Sequence, residues 1–227
     1  MYLDGVIASE SWFGDDVTPA SFRAELNAGK GNITVYINSP GGCVFAASQI
    51  YTMLIEYPYD VTVKVDGIAA SAASVVAMAG TTVLMAPTAN LMIHDPITIA
   101  IGGTDEMDRA KAMLNEIKES IITAYEIKTG LSRAELARMM DAETWISAKR
   151  AVKLGFADGL IRRDGNDRDD GPDAGISDML NSFIYSRSAV TNSLLDKLRR
   201  KTPGRCQKIQ EPMTPIADLD KRLALLM

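Results

Sequence analysis

The sequence predicts an α/β fold with parallel strands joined by crossover helices. Runs of β-branched residues alternate with a helical run, and two of the predicted strands end in turns rich in glycine or small residues. With 227 residues, 47% of them hydrophobic, the chain can bury a substantial core, and this composition excludes a disordered chain. No apolar run reaches the roughly 18–20 residues of a membrane span.

The strands and helices of the first half follow from local patterns. Residues 33–38 are β-branched and aromatic and stop at Ser-Pro-Gly-Gly, which predicts a buried strand. Residues 43–57 carry apolar side chains at helical spacing, and residues 61–65 form a second predicted strand. Two short strands are predicted at residues 82–85 and 90–93. This alternation supports the α/β class.

A long helix is predicted over residues 104–129. Thr104 is a candidate N-cap, and Gly130 follows the end of the helix. Apolar residues recur along it at steps of three and four, namely Met107, Ala110, Leu114, Ile117, Ile121 and Ala124. This stripe can pack on the core of its own subunit or on a neighbouring subunit.

The character of the chain changes after Arg163. Residues 164–173 contain five aspartates, one arginine and no large apolar residue, which is typical of a solvated linker. We therefore expect a domain over residues 1–163 and an acidic linker with a partly helical or disordered C-terminal tail over residues 164–227.

Three motifs are candidates for chemistry. The Asn-Ser-Pro-Gly-Gly of residues 38–42 follows a strand, and its glycines can present backbone N–H groups to an oxyanion. Residues 67–74 form a small-residue junction between a strand and a helix, which offers Ser71 and Ser74 as nucleophiles without choosing between them. His94 ends an apolar strand just before a Pro turn, at the rim of the predicted sheet.

The residue inventory restricts the mechanism further. The chain has one histidine and two cysteines, so a zinc site of nitrogen and sulfur ligands is not expected. Any imidazole base must be His94. We expect no metal, no cofactor and, from the net charge of −5, no nucleic-acid partner. The first residues lack a signal-peptide pattern, and the expected location is cytoplasmic.

Together the three motifs resemble the ClpP family of self-compartmentalising serine peptidases. The similarity runs from about Tyr2 to Arg163. The resemblance implies a ClpP/crotonase-type β-α spiral with a long handle helix, here residues 104–129. It also implies Ser71 as nucleophile, His94 as base, and the backbone N–H groups of Gly42 and Ala72 as oxyanion donors.

The acid of the triad departs from the family pattern. The family carries an aspartate shortly before an aromatic residue and Ser-Ala, and Glu143 occupies that position here, before Trp145 and residues 147–148. A glutamate can orient an imidazole as an aspartate does. Asp141 is the alternative acid.

Partners also follow from the resemblance. We expect polypeptide substrates and self-association into heptameric rings or double rings, and no membrane partner. The chain begins almost at the first strand and carries a tail of about 60 residues, long for an appendage. This arrangement resembles the prophage-encoded branch, which implies phage capsid proteins as substrates and argues against an AAA+ ATPase, the alternative partner.

The leading interpretation is thus a serine endopeptidase that works inside an oligomeric chamber. One alternative is a crotonase-type acyl-CoA enzyme, whose chemistry does not require the serine, histidine and acid set. Another is a catalytically silent ring or scaffold subunit that binds partners through residues 164–227.

Overall fold

A seven-stranded sheet runs through the part of the chain that the computed structural model describes, residues 1–11 and 15–162. Its strands are β1 (Tyr2–Ile7), β2 (Ile33–Gly42), β3 (Val61–Ala70), β4 (Thr82–Met85), β5 (Asn90–Ile93), β6 (Thr144–Ser147) and β7 (Gly159–Leu160). The helices are α1 (Pro19–Ala28), α2 (Val44–Ile55), α3 (Ala72–Ala77), α4 (Thr104–Thr129), α5 (Arg133–Asp141) and α6 (Ala148–Leu154).

Strand β3 is shared by two neighbours on the same side of the sheet. The order β1-β2-β3-β4-β7 is parallel throughout. The first half of β3, from Thr62 to Val65, pairs with β4, and the second half, from Ile68 to Ala70, pairs with β5. Strand β6 then adds to β5 in the antiparallel direction. The predicted α/β fold with parallel strands and crossover helices is confirmed.

The core lies between the sheet and the helices α2 and α3. Alternate residues of β2 and β3 are fully buried, and every residue of α3 is buried as well. Helix α3 runs through Ala72, Ala73, Ser74, Val75, Val76 and Ala77, whose small side chains let it pack closely against the sheet. The residue before α3 is therefore held by a well-packed element.

Helix α4 has two different halves. Near its C-terminal end, Ile121, Ile122, Ala124 and Tyr125 are buried in the core. In the N-terminal half no residue is buried, and Met107 and Met113 are each 42% exposed. The predicted stripe therefore begins to pack on the subunit's own core at Ile117, which is partly buried, and is fully buried there from Ile121 onward.

Most predicted element boundaries agree with the structure. β4, β5 and α4 span the expected residues, whereas β2 and β3 continue further, through the turn-forming motifs to Gly42 and Ala70. Thr104 is not the N-cap, because it is already the first helical residue and Gly103 precedes it as the cap. The Glu106 carboxylate instead accepts the Gly103 N–H at 2.9 Å.

The predicted tail, residues 164–227, lies outside the described residues, and the domain division stays a prediction. None of the helices in the described ranges is long and apolar enough to cross a membrane.

Candidate active site

Three parallel strands end at one edge of the sheet and carry the predicted site. β2 ends at Gly42, β3 at Ala70 and β5 at Ile93. Because the carboxyl ends of parallel strands meet at the same edge, Ser71 and His94 emerge beside each other. Sites in open α/β sheets form at this edge.

Ser71 has an unusual backbone conformation. Its φ is 54° and its ψ is −125°, a combination that is normally left to glycine. The Ser71 N–H donates to the Met92 carbonyl at 2.9 Å, which ties the residue to β5. The turn between β3 and α3 thereby projects the side chain off the sheet edge at some cost in strain, of about 1–3 kcal/mol for such conformations.

The structure brings His94 and Ser71 together. His94 Nε2 lies 2.7 Å from Ser71 Oγ, and His94 is 9% exposed. At this distance the imidazole can accept the hydroxyl proton when the other ring nitrogen, Nδ1, carries the hydrogen. The pair therefore has the geometry of a nucleophile and its general base.

The turn at Gly41 and Gly42 leaves no room for side chains. Their φ values are 93° and 146°, and a Cβ on Gly42 would lie 2.0 Å from the Ile7 carbonyl oxygen. The Gly41 N–H donates to the buried Ser39 hydroxyl at 3.1 Å. Glycine is thus required at both positions by backbone conformation and by space.

This glycine turn lies directly against the nucleophile turn. A Cβ on Gly41 would lie 2.9 Å from both the Ala72 nitrogen and Ser71 Cβ. Ala72 is the first residue of α3, where backbone N–H groups have no partner within the helix. The predicted oxyanion donor Ala72 therefore lies next to the Ser71 side chain, and so does Gly41, the residue before the other predicted donor, Gly42.

Glu143 sits at the turn between α5 and β6. In the antiparallel pairing of β5 and β6, Thr144 is opposite Ile93, so the residues next in line are Glu143 and His94. Glu143 has a φ of 48°, which is uncommon for a residue with a side chain. Within the described ranges its carboxylate makes no hydrogen bond or ion pair. The backbone brings Glu143 beside His94 without a bond between their side chains.

Asp141 is engaged elsewhere. Its carboxylate pairs with Lys118 of α4, whose Nζ also lies 2.9 Å from Asp95 Oδ1. The hydrogen bond from Lys118 lowers the pKa of Asp141. Burial alone would lower the pKa of Lys118, but its hydrogen bonds to Asp141 and Asp95 outweigh that effect and raise it. The alternative acid is therefore bound to a cation.

Ser74 has a position unlike that of Ser71. It is fully buried, and its Oγ lies 2.6 Å from the Ser71 carbonyl oxygen and 2.8 Å from the Tyr125 hydroxyl. Its hydroxyl is inside the protein, whereas the Ser71 hydroxyl faces His94 at the sheet edge. Of the two serines that local sequence offered, only Ser71 therefore faces the imidazole, and its role as nucleophile stays a prediction.

Sequence reasoning missed two groups around the site. Lys118 lies in the predicted helix stripe region as an ordinary surface cation, and Tyr125 is one of seven tyrosines. The only signal available was helical spacing, since Lys118 and Tyr125 are seven residues apart on α4 and so share one side of the helix. That spacing does not reveal which residues of other elements they meet.

The match to a family model decides the relationship. The model described as Clp protease matches residues 14–164, about two thirds of the chain. The chain belongs to the Clp protease family. The resemblance inferred from three short motifs is confirmed at the level of the family, and the expected enzyme class, a serine-type peptidase, is the class of that family.

Curated relatives bear the same family name. The chain is 29% identical over 157 residues to the ATP-dependent Clp protease proteolytic subunit of Porphyromonas gingivalis, covering 66% of this chain and 70% of that protein. It is 30% identical over 155 residues to the subunit of Bacteroides fragilis (65% and 74%). It is 33% identical over 144 residues to subunit 1 of Chlamydia muridarum (60% and 73%).

Proposed function

We propose that this Clp-family chain is a serine endopeptidase in which Ser71 is the nucleophile and His94 is the general base. The observation that supports this most strongly is the 2.7 Å contact between His94 Nε2 and Ser71 Oγ. It joins the only histidine of the chain to a serine in a strained turn. Strain of this kind concentrates at functional sites.

The reaction follows from these positions. His94 Nε2 takes the Ser71 proton as Oγ attacks the peptide carbonyl, which forms the C–O bond and a tetrahedral oxyanion. The N–H groups of Gly42 and Ala72 stabilise that oxyanion. His94 then gives the proton to the leaving amine as the C–N bond breaks, and water hydrolyses the acyl-enzyme by the same steps.

Glu143 is proposed as the acid that orients His94. Its backbone lies next to His94 in the register of β5 and β6, and its carboxylate is not committed to a cation in the described residues. Asp141, by contrast, is held by Lys118. A rotation of the Glu143 side chain toward Nδ1 would complete the triad.

Self-association into rings is part of the same proposal. The N-terminal half of α4 exposes Met107 and Met113, and the segment before it exposes Ile99 and Ile101, the latter at 90%. Several large apolar side chains exposed along one stretch of chain are typical of an interface between protein chains. A native mass that is a multiple of seven subunits would support the ring, whereas a monomer at working concentration would contradict it.

Two kinds of polypeptide substrate fit this proposal: proteins unfolded by an ATPase, and capsid proteins cleaved without one. The relatives are named as ATP-dependent, which supports an AAA+ ATPase partner, and the prophage branch implies phage capsid proteins. Degradation of a folded protein only when a Clp-type ATPase is added would support the ATPase partner. Cleavage of a capsid precursor without any ATPase would support the phage substrate. The expected cytoplasmic location stays a prediction.

Labelling with a fluorophosphonate probe tests the central claim. The wild-type chain should be labelled at Ser71, and both Ser71→Ala and His94→Ala should lose the label while keeping the native mass. Absence of labelling in a correctly assembled wild-type particle would favour the silent scaffold. Turnover of an acyl-CoA thioester that survives in Ser71→Ala would favour the crotonase-type alternative.

A further inference from the structure

We propose that Tyr125 and Ser74 are positioning residues that hold Ser71 in its reactive conformation. This inference rests on the proposed function, because it concerns the nucleophile of that reaction. The observation behind it is an unbroken series of contacts from the C-terminal part of α4 to the backbone of Ser71. The Tyr125 hydroxyl lies 2.8 Å from Ser74 Oγ, and Ser74 Oγ lies 2.6 Å from the Ser71 carbonyl oxygen.

The number of hydrogens on each group determines which group donates in each of these bonds. A serine hydroxyl has one hydrogen, and the Ser71 carbonyl can only accept, so Ser74 donates to Ser71. Ser74 Oγ is then an acceptor for Tyr125, whose hydroxyl donates. Successive bonds of this kind polarise one another, so the tyrosine strengthens the bond that Ser74 makes to Ser71.

The Ser71 backbone is held from both sides as a result. Its N–H donates to the Met92 carbonyl at 2.9 Å, and its carbonyl accepts both the Ser74 N–H at 3.0 Å and the Ser74 hydroxyl. The conformation between these anchors is the strained one, with φ of 54°. Strained backbone persists only where surrounding contacts over-determine it, and Ser74 supplies two of those contacts.

Burial makes the two hydroxyls effective. Ser74 is fully buried and Tyr125 is 1% exposed, so water does not compete for either hydroxyl. Phe156 packs edge-on against the Tyr125 ring with centroids 5.7 Å apart, which fixes the direction of the phenol. The hydroxyl positions are therefore set by packing rather than by solvent.

The mildest variant for a test is Tyr125→Phe, which removes one oxygen and keeps the ring. The measurement is the second-order rate of fluorophosphonate inactivation per active site, together with kcat and KM for a short peptide. We expect inactivation and kcat to fall about three- to tenfold in Tyr125→Phe with KM unchanged, since one hydrogen bond is lost from the nucleophile's support. Ser74→Ala should show a larger fall while remaining measurably active.

A double-mutant cycle distinguishes a linked series from two separate effects. Because Tyr125 acts through Ser74, adding Tyr125→Phe to Ser74→Ala should cause less than a twofold further loss. The matched control is Tyr57→Phe, which also removes a hydrogen-bonded phenol, here one that donates to the Gly31 carbonyl at 2.9 Å, away from the site. It should leave the inactivation rate per site unchanged.

The outcomes separate this inference from the function on which it rests. If the wild-type chain is not labelled at all, the proposed function is wrong. If the wild-type chain is labelled and Tyr125→Phe reacts at the same rate per site, or the two variants are fully additive, the positioning role is wrong and the peptidase assignment stands. Loss of thermal stability alone, without a change in rate, also contradicts the positioning role.

Discussion

The two turns that meet at the sheet edge reach unusual backbone conformations in different ways. The turn at Gly41 and Gly42 has positive φ where no side chain fits, because neighbouring backbone fills the space. The turn at Ser71 also has positive φ, yet it keeps a side chain and holds it through bonds to Met92 and Ser74. The glycine turn therefore keeps its conformation because it has no side chains. The serine turn keeps its conformation because hydrogen bonds hold the backbone of Ser71.

This difference shows how the two turns divide the work of the proposed site. The glycine turn contributes only backbone, so steric exclusion is sufficient to define it. The serine turn must present a hydroxyl, so glycine is not an option and the fold bears the strain instead. Substitutions should therefore affect the two turns with different balances between activity and stability.

The largest expected effect is at Ser71. Ser71→Ala removes the attacking oxygen and should lower peptide hydrolysis by on the order of 10⁴-fold or more. Native mass measurements should show assembly like that of the wild type, because the hydroxyl is needed only for the covalent step. Ser74→Ala, at the buried serine, is the comparison, and it should keep reduced but measurable activity. Full activity in Ser71→Ala with none in Ser74→Ala would exchange the roles of the two serines.

The second-largest expected effect is at Glu143, the proposed acid of the triad. Glu143→Gln keeps the shape of the side chain but removes its charge, and should lower kcat by on the order of 10³- to 10⁴-fold with little change in stability. Asp141→Asn is the matched control two residues away. It weakens a solvent-screened surface ion pair with Lys118 and should keep near-normal turnover. Normal kcat in Glu143→Gln with an inactive Asp141→Asn assigns the role to Asp141.

Gly42→Ala tests the glycine turn, in which neighbouring backbone leaves no space for a side chain. A Cβ there would lie 2.0 Å from the Ile7 carbonyl oxygen, so the turn must shift and its N–H must move. We expect about a 10²- to 10³-fold loss in kcat, as for loss of one oxyanion donor, accompanied by a lower melting temperature. Gly29→Ala is the control, since nothing lies within 4 Å of its Cβ position. Equal behaviour of the two alanine variants would remove the steric argument.

The smallest expected effect is a difference in the free energy of unfolding that reports backbone strain at Ser71. Ser71→Gly and Ser71→Ala should both be inactive, but the glycine variant should be the more stable of the two by about 1 kcal/mol, because glycine accepts this backbone conformation. Denaturant unfolding of both variants measures the difference. At Ser48, an exposed position in α2, the same pair should show the opposite order, since alanine favours helix over glycine. The same order at both positions would contradict strain at Ser71.

Local sequence predicted the elements that carry strong patterns and missed those that depend on tertiary contacts. Strand β5 has the expected bounds because its apolar run stops just before Asp95 and Pro96, and helix α4 has them because helical periodicity ends at Gly130. Strand β6 was not predicted. It is four residues long, and its antiparallel pairing with β5 depends on residues about 50 positions earlier in the chain.

The candidate site shows the same division. Motifs beside strand ends identified Ser71, His94 and the glycine turn, because such turns need particular residue types. The contacts of Lys118 with Asp95 and of Tyr125 with Ser74 join elements far apart in sequence. No local pattern encodes those pairs, since they arise only when α4 packs across the sheet edge.

The three-residue ladder between β3 and β5 makes the distance between nucleophile and base a matter of register. Ser71 follows the last residue of one strand, and His94 follows the last residue of its neighbour, with Ala70 paired to Met92. A slip of one residue would shift His94 by about 3.3 Å along the strand, more than a hydrogen bond tolerates. The register of the sheet therefore sets this alignment, and a slip between β3 and β5 would separate the nucleophile from its base.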